Sequence, residues 1–263
     1  MEGLNHKRSG PPGTSLIIGR QPIVEAIESG RAIDKIFFQR NISGESIGRI
    51  RQLAKEHNIP IQQVPPEKLY SFTKANHQGC IAIAALVQYM DLQQVIDLVT
   101  GDGSVPLFVM LDGVTDVRNI GAITRTALCF GAQALIIPDK GVGALNEEAM
   151  KSSAGALEKI HVCRVTSLLK TIDDLHWNGV RVFTSATDAH HKVFELSYRE
   201  PCCIVMGSEE KGVQPYIVKA ADDQFTIPMT DSFDSLNVSV ATGIVLYEAM
   251  RQRMENGKLK IKN

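Results

Sequence analysis

Two rhythms of apolar and polar positions alternate along this chain: a two-residue beat that fits strands and a three-to-four-residue beat that fits helices. From residue 15 onward, "SLIIG", "IDKIFFQ", "IPIQQV" and "GCIAIAALV" read as strands. Between them, "QPIVEAIESG", "SIGRIRQLAKEHN" and "PEKLYSFT" read as helices, the first with Pro22 near its first turn, where proline is tolerated. These seven elements predict one small α/β domain over 15–90. The preceding residues 1–14 mix Gly, Pro, Ser and basic residues without a period, which predicts a disordered arm. "DLQQVIDLVTGDGSVP" predicts a helix and then a Gly/Asp/Ser/Pro joint, so residues 91–104 are read as a linker.

A second series runs over 105–254, ahead of a basic tail at 255–263, with strands expected near 106–112, 133–137, 160–164, 180–186, 202–206 and 223–228. Helical patterns fill most gaps, an alternation that implies a mostly parallel sheet covered on both faces. In such sheets ligands gather beyond the carboxyl ends of the strands. The polar clusters "DGVTDVRNIG", "GSEEKG" and "MTDSFDSLN" fall there. The last stretch, "DSFDSLNVSVATGIVLYEAMRQR", begins with strand-like alternation. Leu236, Val240, Gly243, Tyr247 and Met250 nevertheless recur at helical spacing, with Ser235 in place as N-cap. The helix over 236–253 also carries Val238, Ala241, Val245 and Ala249 on a second apolar face, which predicts a contact with a second copy of the chain.

Composition narrows the class without deciding it. The chain has 263 residues, 44% hydrophobic and 22% charged, ordinary for one or two globular domains. Its longest apolar runs fall short of the roughly 20 residues that span a bilayer, and its start lacks an apolar signal core, so a cytoplasmic protein without a membrane partner is expected. The net charge of −1 hides an asymmetry: residues 1–90 hold 11 Lys and Arg against 7 Asp and Glu, and the remainder 17 against 22. A basic front on an acidic body is one way to bind a polyanion, and an ordinary solvated surface gives similar differences. Cys80, Cys129, Cys163, Cys202 and Cys203 have no C-x-x-C spacing and read as reduced core residues, not as a metal site. The adjacent His190 and His191 read as loop residues.

Three stretches can carry chemistry. In "LDGVTDVRNIGAITRTA" a helix starts near Asn119, with Arg125 six residues on; this fits an anion site, although taken alone it fits a capping Asn followed by an exposed helical Arg better. In "IVMGSEEKGV", Gly207 and Gly212 flank Glu209, Glu210 and Lys211, which fits close backbone approach to a ligand or a plain charged turn. Ser235 and Asn237 open the last helix, as a ligand-holding turn or a structural cap. No G-x-x-x-x-G-K-[ST] is present, and "GVGALN" lacks the third glycine of a dinucleotide fingerprint.

In this order the three stretches resemble the three signature motifs of the SpoU (TrmH-type) RNA ribose 2′-O-methyltransferases. "GRQPIVEAI" and "NHQGCIAIAA" are similar to the ribosomal-protein-like RNA-binding domain that family members acting on a 23S rRNA guanosine carry in front. The resemblance implies a SPOUT catalytic domain whose C-terminal segment threads a loop as a trefoil knot. It further implies S-adenosylmethionine as methyl donor with no metal, a homodimer, and an RNA partner, most specifically 23S rRNA near the peptidyl-transferase centre, with no DNA. Gly207, Ile227, Leu236 and Ala186 match cofactor-contact positions; Asn119, Arg125, Glu209, Ser235 and Asn237 match catalytic and substrate positions. Departures occur at Val117, where the family usually has Pro, and at Glu210 and Asp231, where Gly is frequent.

Overall fold

The computed structural model describes residues 15–186, 188–230 and 235–255, so the expected N-terminal arm, residues 256–263 of the tail and Asp231 lie outside the described residues. The chain divides into two compact units between Leu86 and Val87. In the first, the seven elements follow in the predicted order: β1 (Leu16–Ile18), α1 (Arg20–Glu28), β2 (Ile33–Gln39), α2 (Glu45–Glu56), β3 (Ile61–Val64), α3 (Pro66–Phe72) and β4 (Cys80–Ala84). The sheet order is β1-β4-β2-β3, with β4 antiparallel to both neighbours and β2 parallel to β3. Ile23, Ile36, Phe38 and Ile50 are fully enclosed between helices and sheet.

The second unit contains β5 (Tyr89–Met90), α4 (Leu92–Gly101), β6 (Leu107–Asp112), α5 (Val117–Cys129), β7 (Ala134–Pro138), α6 (Glu147–Ser152) and β8 (His161–Val165). It continues with α7 (Leu168–Trp177), β9 (Arg181–Ser185), β10 (His191–Lys192), β11 (Cys202–Gly207), α8 (Pro215–Ala220), β12 (Asp223–Thr226) and α9 (Val238–Glu255). The eight strands pair in parallel throughout, in the order β10-β12-β9-β11-β6-β7-β8-β5. β6 and β11 are buried along their whole length, as central strands covered on both faces must be. Alternate side chains divide between two cores: Val109, Leu111, Ile204 and Met206 meet α5 and α9, whereas Phe108, Met110, Cys203 and Val205 meet α4, α7 and α8. No helix among the described residues is long and apolar enough to cross a membrane.

Several expectations change. The helix expected in the segment read as a linker is present as α4, but its Leu92, Val95, Ile96 and Val99 lie in the core of the second unit. His191 is not a loop residue but pairs with Phe225 in a two-residue strand, too short to show a period. Cys129 is exposed, unlike the other four cysteines. Burial pushes the Cys80 thiol up to about 11 and the Cys163 thiol to about 12.

The faces of α9 are the reverse of those expected. Val238, Val245, Leu246 and Ala249 are buried, and Val240, Ile244 and Tyr247 are exposed, because the sheet and α5 take the first set. Its C-terminal end is pinned by Arg253, which is 2% exposed. The guanidinium donates to the carbonyls of Tyr198 (2.8 Å), Val105 (2.7 Å), Pro106 (2.8 Å) and Glu200 (3.0 Å). Burial pulls its pKa below the usual arginine value.

Candidate functional site

At the carboxyl ends of β9, β11 and β12 lies a cleft of about 770 Å³, completed by the residues that lead into α9. Ala186, Gly207, Ile227 and Leu236, the four predicted cofactor-contact residues, all line it, as do Glu209 and Ser235. One wall is a tight turn over 208–212. The Gly212 N–H donates to the Ser208 carbonyl (2.9 Å), with Gly212 at φ +65°, a region that favours glycine. Gly207 is required for a second reason: a Cβ there would overlap the backbone of Gly212 and Val213.

Asp112, which ends β6, is buried and accepts hydrogen bonds from the backbone N–H (2.7 Å) and the side-chain amide (2.6 Å) of Gln214. It therefore ties the far end of the turn to the neighbouring strand. Asp112 is a site residue to which none of the three motifs assigns a role. Its signal was present as a lone carboxylate closing an all-apolar strand.

Three side chains from the three motifs meet at the cleft edge. Glu209 Oε1 accepts from Asn119 Nδ2 (2.9 Å), Asn237 Nδ2 (2.6 Å) and, at 3.4 Å, the Val238 backbone N–H. Asn237 Nδ2 also donates to Asn119 Oδ1 (3.0 Å), which closes a triangle. The carboxylate thus sits at the N-terminal end of α9, where the helix dipole favours negative charge.

Asn119 is held in the first turn of α5, whose N-cap is Asp116, accepting from the Arg118 N–H (2.8 Å), and not Asn119 itself. The cap of α9 is likewise corrected. α9 starts at Val238, so Ser235 does not cap it, and Leu236 and Asn237 precede the helix. Asn237 is the cap: its carbonyl accepts from Ala241 N–H and its Oδ1 from Ser239 N–H (2.9 Å).

Arg125 is not part of the triangle. Six residues along α5 place it about 9 Å further along the axis and turned away from Asn119. Its side chain is exposed and makes no ion pair or hydrogen bond among the described residues. Those residues also contain no group of three or more His, Cys, Asp or Glu that could hold a metal ion.

Residues 106–247 match the SpoU rRNA Methylase family, and residues 16–90 match the RNA 2'-O ribose methyltransferase substrate binding family. The chain is 37% identical over 242 residues to a Staphylococcus haemolyticus protein assigned to the TrmH family of tRNA/rRNA methyltransferases, covering 92% of this chain and 97% of that one. The chain belongs to the SpoU methyltransferase family. A Bacillus subtilis relative named for the same family is 32% identical over 92% of this chain and 97% of its own. Among solved structures, the SpoU methyltransferase AviRb from Streptomyces viridochromogenes, in complex with the cofactor AdoMet, shares the fold. Its TM-score is 0.59 at 24% identity, with 92% of each chain covered. A TrmH/SpoU tRNA modifying enzyme from A. aeolicus matches 64% of this chain and 86% of its own at 30% identity and a TM-score of 0.52. The SpoU match spans β6 to most of α9 and so includes all three corners of the triangle.

Proposed function

We propose that this SpoU family member transfers a methyl group from S-adenosylmethionine to a ribose 2′-hydroxyl of RNA, most specifically a guanosine of 23S rRNA near the peptidyl-transferase centre. The observation that carries the proposal is the Asn119–Glu209–Asn237 triangle on the rim of a cleft lined by all four expected cofactor residues. The cleft fits the donor: small-molecule sites commonly enclose roughly 300–1,000 Å³, and Ile227 and Leu236 give apolar walls beside the side-chain-free Gly207. When bound, S-adenosylmethionine supplies a methyl group on a positively charged sulfur, so the chemistry needs no metal.

The chain's own residues do the rest. Glu209 locks the two asparagine amides to the start of α9, and with Ser235 they form the face that orients the incoming ribose. Arg125, which lies outside the triangle, is assigned in this reading to the 3′-phosphate, where its charge offsets the negative charge that develops during transfer. A guanidinium keeps its protons, so it acts by charge, and the hydroxyl proton leaves through that phosphate or through solvent. The same reading includes a trefoil knot, with residues from 236 onward threading behind the 208–212 turn. Contacts from Glu209 in the turn to Asn237 and Val238 support that path. It also includes a homodimer working in the cytoplasm.

The preference for rRNA rests on the front unit. The test is incubation of the full chain with radiolabelled S-adenosylmethionine and unmodified 23S rRNA or total tRNA. Label in 23S rRNA as a 2′-O-methyl nucleoside is the expected result. Label in tRNA alone overturns the rRNA assignment, and label in neither overturns the activity.

A further inference from the structure

We infer that one edge of the front unit is a docking surface for an unpaired nucleotide, with the Tyr70 ring as stacking platform and His77 as a buried donor beneath it. The inference rests on the RNA reading above and assigns the residues that would serve it.

Strand register gathers the loops. β1 ends at Ile18 opposite Ile81, β2 reaches Phe38 opposite Cys80, and β3 ends at Val64 opposite Gln39. The loops after β1, β2 and β3 therefore open at the same edge as the 73–79 loop that leads into β4. The last loop is built tightly. Gln78 is at φ +50°, its carbonyl accepts from Arg20 Nε (3.2 Å), and its side-chain oxygen accepts from the Arg20 backbone N–H (3.3 Å).

This edge carries Arg20, Arg40, Lys68 and Lys74, and none of the four is in an ion pair among the described residues. Tyr70 stands on the same edge, 63% exposed although aromatic. Its ring meets that of His77 edge-on at 4.8 Å. His77 is only 5% exposed. Its Nδ1 accepts from the Gly79 N–H (3.0 Å), which leaves the proton of the neutral ring on Nε2. That buried nitrogen has no hydrogen-bond partner among the described residues. A buried polar group normally finds one, and because this nitrogen is closed to solvent in the free chain, an RNA base or phosphate oxygen supplies the acceptor only with a local shift that opens it. Cations without carboxylate partners among the described residues, Lys68 resting over the Phe72 ring, and an exposed ring together fit a single-stranded stretch of RNA: phosphates meet the cations and a base stacks on Tyr70.

Filter binding of transcribed, unmodified 23S rRNA by the full chain tests this surface. Loss of one stacking platform is worth roughly 1–3 kcal/mol, so Tyr70→Ala should weaken binding about five- to hundred-fold, with Tyr70→Phe staying within about twofold of wild type. Lys68→Gln combined with Lys74→Gln should flatten the dependence of log K on log salt by about 1.4, near 0.7 per single-strand phosphate contact. Where Tyr70→Ala lowers the melting temperature, Tyr70→Leu, which keeps apolar bulk against His77 without a ring, replaces it. Tyr70→Ala and the lysine pair both binding like wild type overturns this surface alone, as does a Tyr70→Phe loss equal to that of Ala. Wild-type chain that binds no RNA overturns the RNA reading itself.

Discussion

Glu209 shows why a solvent-facing carboxylate need not be a solvated charge: three donors from two other motifs converge on one of its oxygens. That convergence was not legible in the sequence, because 90 residues separate Asn119 from Glu209 and 28 separate Glu209 from Asn237. The residue types were legible, and the contact was not. Arg125 is the opposite case, prominent in the motif and without a side-chain partner among the described residues. If it clamps charge during transfer, Arg125→Ala should slow single-turnover methylation at saturating cofactor by about a hundredfold, with Arg125→Lys recovering little because a point charge lacks the guanidinium fork. A rate within a few-fold of wild type, with an unchanged melting curve, would reduce Arg125 to a surface residue. Gly207 is tested through binding. A methyl group at this position must displace the Gly212–Val213 backbone, an overpacking worth about 1–3 kcal/mol, so Gly207→Ala should raise the Kd for S-adenosylmethionine about tenfold by calorimetry.

At the scale of elements, the long rhythms were reliable and the ends were not. β6 up to Leu111 and β11 are short apolar runs bounded by turn signals, which fits buried strands, and both lie at the centre of the sheet. The start of α9 was misplaced because Ser235 is intrinsically as good a cap as Asn237, and tertiary hydrogen bonds to Glu209 and Asn119 decide between them. Its far end misleads in another way. "EAMRQR" reads as a solvated terminus, yet Arg253 is enclosed by four carbonyls that no sequence pattern announces. Removing its donors strands those acceptors, so Arg253→Met should cost about 3 kcal/mol or more in urea unfolding, and Arg253→Lys should restore less than half of the loss. A cost below about 0.5 kcal/mol would show that the carbonyls find other partners.

For the whole molecule, the exposed face of α9 is the unfinished part of the architecture. Val240, Ile244 and Tyr247 lie along it, with Tyr247 edge-on to Phe130 of the segment that follows α5. Apolar residues in a row on a long surface helix mark an interface, so the chain should be a dimer by light scattering at micromolar concentration. Val240→Glu with Tyr247→Glu should make it a monomer, and a monomeric wild type would contradict the proposed homodimer. The division into a front unit and a parallel-sheet unit was legible because each keeps its own alternation of strand and helix. The place of α4 was not, because an amphipathic helix beside a Gly/Asp/Ser/Pro joint reads equally well as a spacer.

If the triangle and its cleft methylate a ribose of 23S rRNA, position-resolved mapping of 2′-O-methylation in RNA from a strain lacking this gene will reveal it. One ribose in 23S rRNA, near the peptidyl-transferase centre, should lose its methyl group, and the wild-type gene should restore it where an Arg125→Ala copy does not. An unchanged rRNA map, with the missing methyl group found on a tRNA instead, would contradict the 23S rRNA assignment.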